Sequence, residues 1–226
     1  MSAPRRIAMS PGAADALAAT LRPAAGDGPA AAVAEALSDV RARGDAALVD
    51  AIRRFDAPDF AGTDAVVSAA ALKAAEASLS DALRAAITEA ITNVRLVAAA
   101  SLPTGSSADL PAGQSVRIEA LPVDAAGVYA PGGRAAYPSS VIMGVVPAQV
   151  AGVRRIVLAT PAGPDGLPNA VVLATASILG VDQVIGVGGA AAIGALAYGT
   201  ETVARVDVIT GPGNPWVQEA KRQVFG

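Results

Sequence analysis

The stretch Gln183-Val-Ile-Gly-Val-Gly-Gly-Ala-Ala-Ala-Ile-Gly-Ala-Leu-Ala-Tyr198 decides the fold. Its β-branched opening predicts a strand, its glycines a turn, and its alanine-rich remainder a helix. Working outward, further short β-branched runs occur at Val123 to Tyr129, Arg155 to Ala159 and Val206 to Thr210. Helical segments are expected at about Ser139 to Gly152, Asn169 to Gly180, Ala190 to Tyr198 and Asn214 to Phe225. Strand–helix alternation at this spacing predicts an α/β fold, a parallel sheet covered by helices through right-handed crossovers. Ile156-Val157-Leu158 is a continuous apolar run, which suits a strand buried on both faces.

Upstream the pattern differs. Val33, Leu37, Val40, Leu48, Ile52 and Phe55 recur at helical spacing with a break at Gly44, and Ala57 to Thr63 reads as a loop. Ser68 is placed to cap a long helix carrying Leu72, Leu79, Leu83, Ile87, Ile91 and Val94. Leu102 to Gly113, rich in Pro, Gly and Ser, reads as a linker, and residues 1–29 as an arm without sustained period. The expected organisation is a mainly helical region over 1–113 and an α/β unit over 114–226. Arg43-Gly44-Asp45 spells an adhesion tripeptide, but in a helical stretch of a cysteine-free chain it carries no functional reading.

Composition narrows the partners. The 226 residues are 53% hydrophobic with a mean hydropathy of +0.46, so a membrane reading is tested first. A spanning helix needs about 20 consecutive apolar residues. The best run, Ala170 to Leu196, is broken by Asp182, Gln183 and Gly188-Gly189, and Val141 to Val153 is too short. The hydropathy comes mainly from alanine, and the chain reads as soluble, with no membrane partner. The net charge of -3 and the lack of a basic stripe argue against nucleic acid. With no cysteine there is no disulfide, which suits a cytoplasmic location. Arg5 and Arg6 precede no apolar segment, so no secretory signal is read.

The sequence contains no histidine. That removes the commonest general base and, with cysteine absent, the usual zinc donors. Glu119, Asp124, Asp182, Glu201, Asp207 and Glu219 are scattered without the spacing of a dyad, and no serine sits in a nucleophile elbow. No catalytic residue and no metal ligand is assigned.

A binding site is easier to place. Ligands of open parallel sheets bind where the carboxyl ends of strands lead into helix N-termini. Ala130-Pro131-Gly132-Gly133, Gly186-Val187-Gly188-Gly189 and Gly211-Pro212-Gly213-Asn214 all belong to that edge, together with Thr160-Pro161-Ala162-Gly163. Glycines admit close backbone approach, and helix N-termini attract phosphate. Gly186-x-Gly188-x-x-Ala191 matches a dinucleotide fingerprint in form. The ribose-binding acid it calls for has only Asp207, which starts its strand at the opposite edge, so the motif reads better as a tight turn with close helix packing. Tyr129 either flanks a ligand base or ribose, or caps the sheet core. Asn214 is suited to a helix N-cap, a role compatible with ligand contact. Lys221 and Arg222 read as solvated charges complementing the helix dipole.

Two longer blocks extend this reading. Gly127-Val-Tyr-Ala-Pro-Gly-Gly-Arg-Ala-Ala-Tyr-Pro-Ser-Ser-Val-Ile-Met143, continuing through Val146-Pro-Ala-Gln-Val-Ala-Gly-Val153, resembles the histidinol dehydrogenase family. So do Gly186 through Glu201, Asp207-Val-Ile-Thr-Gly-Pro-Gly-Asn214 and Glu219-Ala-Lys-Arg-Gln223. Val40-Arg-Ala-Arg-Gly-Asp-Ala-Ala-Leu48 looks like that family's N-terminal region. The resemblance implies a Rossmann-like NAD-binding domain and a cytoplasmic, homodimeric oxidoreductase of histidine biosynthesis. Such an enzyme oxidises L-histidinol to L-histidine through the aldehyde, with two NAD in succession and a bound zinc. It implies NAD contacts at Tyr129, Gly132, Gly133 and Asn214. The family's further contact, a glutamine, falls on Ala191. It also implies that the zinc ligands, the substrate-binding residues and a Glu-His pair lie beyond the segment ending at Gln223. The chain is then expected to be an N-terminal fragment, inactive alone, with apolar helix faces left exposed and prone to self-association. A related dehydrogenase for another amino or sulfonated alcohol, or a non-catalytic nucleotide-binding protein, are the alternatives.

Overall fold

The computed structural model describes residues 14, 17, 18, 29–132 and 135–225. The proposed arm over 1–29 therefore lies almost wholly outside the described residues. Among the described residues from 29 onward, four helices come first, α1 (Ala30–Arg43), α2 (Asp45–Phe55), α3 (Ala69–Ala77) and α4 (Asp81–Ala100). A hairpin of β1 (Ser106–Asp109) and β2 (Ser115–Ile118) follows. Strands and helices then alternate as β3 (Ala125–Tyr129), α5 (Pro138–Ala151), β4 (Arg155–Ala159), α6 (Ala170–Leu179), β5 (Gln183–Ile185), α7 (Gly189–Tyr198), β6 (Val208–Thr210) and α8 (Pro215–Gln223).

The expected parallel sheet is present, in the spatial order β5-β4-β3-β6. Tyr129 pairs with Ala159, Leu158 with Val184, and Val128 with Thr210. The chain builds β3, β4 and β5 outward in one direction, then crosses back through α7 to lay β6 on the other side of β3. That reversal is a topological switch point, and it lies between β3 and β6.

Each sheet face carries its own core. Val128, Ile156, Leu158 and Val184 pack with α5 and α6, which are backed by α4 and α3. Tyr129, Val157, Ala159 and Ile185 pack on the other face with α7, backed by α1 and α8. Successive residues of β4 thus feed opposite cores, which is why its whole run is apolar. Small residues set the layer spacing. A Cβ at Gly127 would stand 3.0 Å from Leu196 of α7, and one at Gly194 would stand 3.2 Å from Val40 of α1.

Sequence expectation and structure differ in three places. The long helix expected from Ser68 is two, because Ser80 starts a second one by accepting a hydrogen bond from the Leu83 amide at 3.3 Å. Serine competes with the helix backbone and favours such caps. The supposed linker contains β1, paired with β2 from Ser106–Ile118 to Asp109–Ser115. The apolar stripe of α1 is buried on this chain itself, with Val33, Leu37 and Val40 lying against α7. Leu96 and Val97 of α4 do remain exposed, as do Val116 and Ile118 of β2.

The adhesion-like tripeptide is a helix junction. Gly44 turns the chain at φ +53°, and Asp45 is buried, its carboxylate accepting from the Thr200 hydroxyl at 2.5 Å and the Thr202 hydroxyl at 2.9 Å.

Candidate functional site

All four βα loops converge at the carboxyl edge, and their packing explains the glycines. Pro161, just after β4, sits between two of them. A Cβ at Gly132 would lie 3.1 Å from the Pro161 ring, and one at Gly188 would lie 2.7 Å from it. Gly188 is thus glycine because the neighbouring loop occupies the space of a side chain. The fingerprint-like motif is a close-packed turn, as its spacing suggested, and β5 lies two strands from the switch point. Gly211, after β6, is tighter still. At φ +111° its Cβ would land on the Tyr129 carbonyl oxygen.

Tyr129 links these loops. Its ring is buried in the core beneath α7, and its hydroxyl accepts a hydrogen bond from the Gly189 amide at 3.4 Å, at the N-terminus of α7. The ring thus caps the sheet core, and its hydroxyl is held by a helix end. Accepting that N–H leaves the phenol proton free to be donated. Burial first, and then the charge of Asp56, raise the Tyr129 pKa, so the hydroxyl stays a donor across the physiological range.

Asn214 caps α8, accepting from the Val217 amide at 3.0 Å. Its side-chain nitrogen makes no hydrogen bond among the described residues, so a capping Asn214 keeps two donors for another group. Tyr129 ends β3 and Asn214 closes the loop after β6, so they stand on the two sides of the switch point. Gly132 lies on the same edge, whereas Gly133 lies outside the described residues. Ala191 is in the first turn of α7 and buried.

Lys221 is corrected by the structure. Its ammonium reaches back to donate to the Gly211 carbonyl at 2.6 Å, and partial burial lowers its pKa. It fastens the turn preceding Asn214. Arg222 does lie on the surface, paired with Glu219 at 2.6 Å.

The scattered acids have structural partners instead of a shared site. Asp207 accepts from the Ala125 amide and Asp182 from the Ile156 amide, both at 2.8 Å, which ties down strand beginnings at the amino edge. Asp124 pairs with Arg154, Glu119 with Arg117, and Glu201 accepts from the Asp45 amide. Among the described residues no group of three or more His, Cys, Asp or Glu could hold a metal, so the residues present do not fit a zinc centre.

Asp56 was not singled out in the sequence. It follows α2, where Ala57 joins the core around Tyr129, and burial pushes its carboxyl up to about 6. The folded chain therefore holds that proton to a higher pH than the unfolded chain does, and ionising it costs stability as pH rises from about 4 through 6. Asp56→Asn should stabilise the protein at pH 8 by on the order of 1 kcal/mol, after discounting the shift for partial exposure, and by nothing at pH 3.5. Urea melts at the two pH values measure this, and equal effects at both would show that the cause is not the charge.

The comparisons with known proteins bear on this geometry. Residues 24–226 match the family model described as histidinol dehydrogenase. The chain is 48% identical over 197 residues to histidinol dehydrogenase of Chromobacterium violaceum, covering 87% of this chain and 45% of the relative. It is 48% identical over 190 residues to that of Bacillus licheniformis, covering 84% and 44%. The crystal structure of histidinol dehydrogenase from Elizabethkingia anophelis superposes with a TM-score of 0.84 at 35% identity, over 90% of this chain and 47% of that one. The chain thus spans somewhat less than half the length of these relatives. With a family model matched over nearly all its described residues and the fold shared as well, the chain belongs to the histidinol dehydrogenase family.

Proposed function

We propose that this chain supplies the NAD-binding part of an enzyme that oxidises L-histidinol to L-histidine by way of the aldehyde. The observation that carries the reading is the placement of Tyr129 at the end of β3 and Asn214 in the loop after β6, on the two sides of the switch point, each with an unused donor. An NAD pyrophosphate there would meet the N-termini of α7 and α8, whose orphan amides favour negative charge. Gly132 and Gly133 would let the β3 loop approach the cofactor closely, while Tyr129 and Asn214 donate to its oxygens. NAD, when bound, supplies the hydride acceptor. Groups that bind histidinol, hold zinc and move protons are assigned to sequence that the full-length relatives carry and this chain does not span. Family membership supports a homodimer in the cytoplasm for the full-length protein. No described helix is long and apolar enough to cross a membrane.

Titration calorimetry with NAD tests the reading. Saturable binding that Asn214→Ala weakens about tenfold is expected, a loss typical of charge-assisted hydrogen bonds. Ala191→Gln, which restores an amide in the first turn of α7, should tighten binding several-fold. Binding that ignores Asn214→Ala would overturn the site.

A further inference from the structure

We infer that Asp56 reads a ribose of the dinucleotide, its carboxylate accepting the hydroxyls of one vicinal diol. This role rests on the dinucleotide reading of the carboxyl edge.

The loop that carries Asp56 lies on that edge. From the end of α2 it runs past Phe60, whose ring would be 2.8 Å from a Cβ at Gly166 in the loop after β4. It then reaches Ala65, whose carbonyl accepts the Gly186 amide at 2.7 Å at the end of β5. Its first residue after Asp56, Ala57, is buried in the core that contains Tyr129. The segment that follows Asp56 thus packs against the loops after β4 and β5 and against the core that contains Tyr129. The Tyr129 hydroxyl, itself at the N-terminus of α7, feels the charge of Asp56.

The carboxylate has no structural employment there. Among the described residues it makes no hydrogen bond and no ion pair, unlike Asp45, Asp124, Asp182 and Asp207. A partly buried acid without a donor costs stability. Its chemistry selects the group it would accept. An anion repels phosphate, so it must meet donors, and the vicinal hydroxyls of ribose present two donors at the spacing of one carboxylate. Dinucleotide sites place an acid on ribose in this way. Here Asp207, the acid at the expected distance along the sequence, is committed at the far edge. Asp56 fills the role from a loop that precedes the sheet in sequence.

NAD, NADP and AMP titrated into the whole chain, wild type and Asp56→Asn, test the assignment, with a thermal melt as the folding control. Asp56→Asn should melt no lower than wild type at pH 8 and bind NAD about tenfold more weakly. If the adenosine ribose is the one read, AMP weakens alongside NAD, and the preference for NAD over NADP narrows because the 2′-phosphate no longer faces a carboxylate. If the nicotinamide ribose is read, NAD weakens while AMP does not. Wild-type affinities for NAD and AMP in both Asp56→Asn and Asp56→Ala would overturn the role of Asp56 and leave the site standing. Failure of the wild-type chain to bind NAD would instead overturn the dinucleotide reading, and Asp56 with it.

Discussion

Gly211→Ala should lower stability by about 3 kcal/mol or more and abolish NAD binding at the carboxyl edge. Two penalties coincide at this position. The backbone stands at φ +111°, where an L side chain is strained, and the new methyl would fall on the Tyr129 carbonyl oxygen. Neither atom can give way cheaply. Tyr129 is paired with Ala159 of β4 and follows Val128, which is paired with Thr210 of β6, and the Gly211 carbonyl is held by Lys221. A control separates strain from collision. Gly180 also has a positive φ, +64°, but a Cβ there meets nothing within 4 Å. Gly180→Ala should cost only about 1 kcal/mol. Comparable losses in the two variants, measured by urea melts, would show that the close approach to Tyr129 is not the cause.

Gly144→Leu should cost a similar amount through the opposite sheet face. Gly144 lies within α5, and a Cβ there would overlap a Val128 methyl group of β3. Val128 is fully buried and stiff at χ1, so it cannot rotate away without displacing Val141 or Val145 beside it. A leucine would have to lift α5 from the sheet, at a cost of about 3 kcal/mol. For a domain of this size that is a drop in melting temperature of roughly 6 to 12 °C. Gly144→Ala is the finer test, because helix propensity gained and packing lost oppose each other there. A variant with leucine that melts like the wild type would mean that α5 does not sit on β3 as described.

These two glycines mark what the sequence can and cannot convey. The strands were legible because they are short apolar runs, most of them carrying Val or Ile, that lead into loops rich in Gly and Pro. The site edge was legible because parallel strands put every βα loop on the same side. The β1–β2 hairpin was not, since Ser106 to Asp109 is polar, small and exposed on both faces, and so lacks the alternation of a half-buried strand. The break between α3 and α4 carries no Gly or Pro, only serine side chains that cap. Lys221 looked like a surface charge because nothing local reveals that α8 folds back onto its own leading turn. Asp56 was hidden for a related reason. An aspartate in a loop reads as solvated, and only the tertiary packing of its neighbour Ala57 into the core around Tyr129 leaves it partly buried.

The strand order matters more to function than any one motif. The stretch with the most conspicuous glycine spacing, Gly186 to Ala191, follows the edge strand β5, and its Gly188 makes room for Pro161 while Gly186 makes room for Pro168. The less conspicuous Gly-Pro-Gly-Asn turn follows β6 and sits at the switch point, the place where open parallel sheets bind ligands.

The measurement that tests this account most directly is a crystal structure of the chain with NAD bound. Density for the cofactor should run along the carboxyl edge across β3 and β6, with the Asn214 amide and the backbone of Gly132 in hydrogen-bond reach of it. NAD lodged instead at the amino edge, in the shallow groove between Arg41, Tyr198 and Arg205, would contradict the assignment of the site.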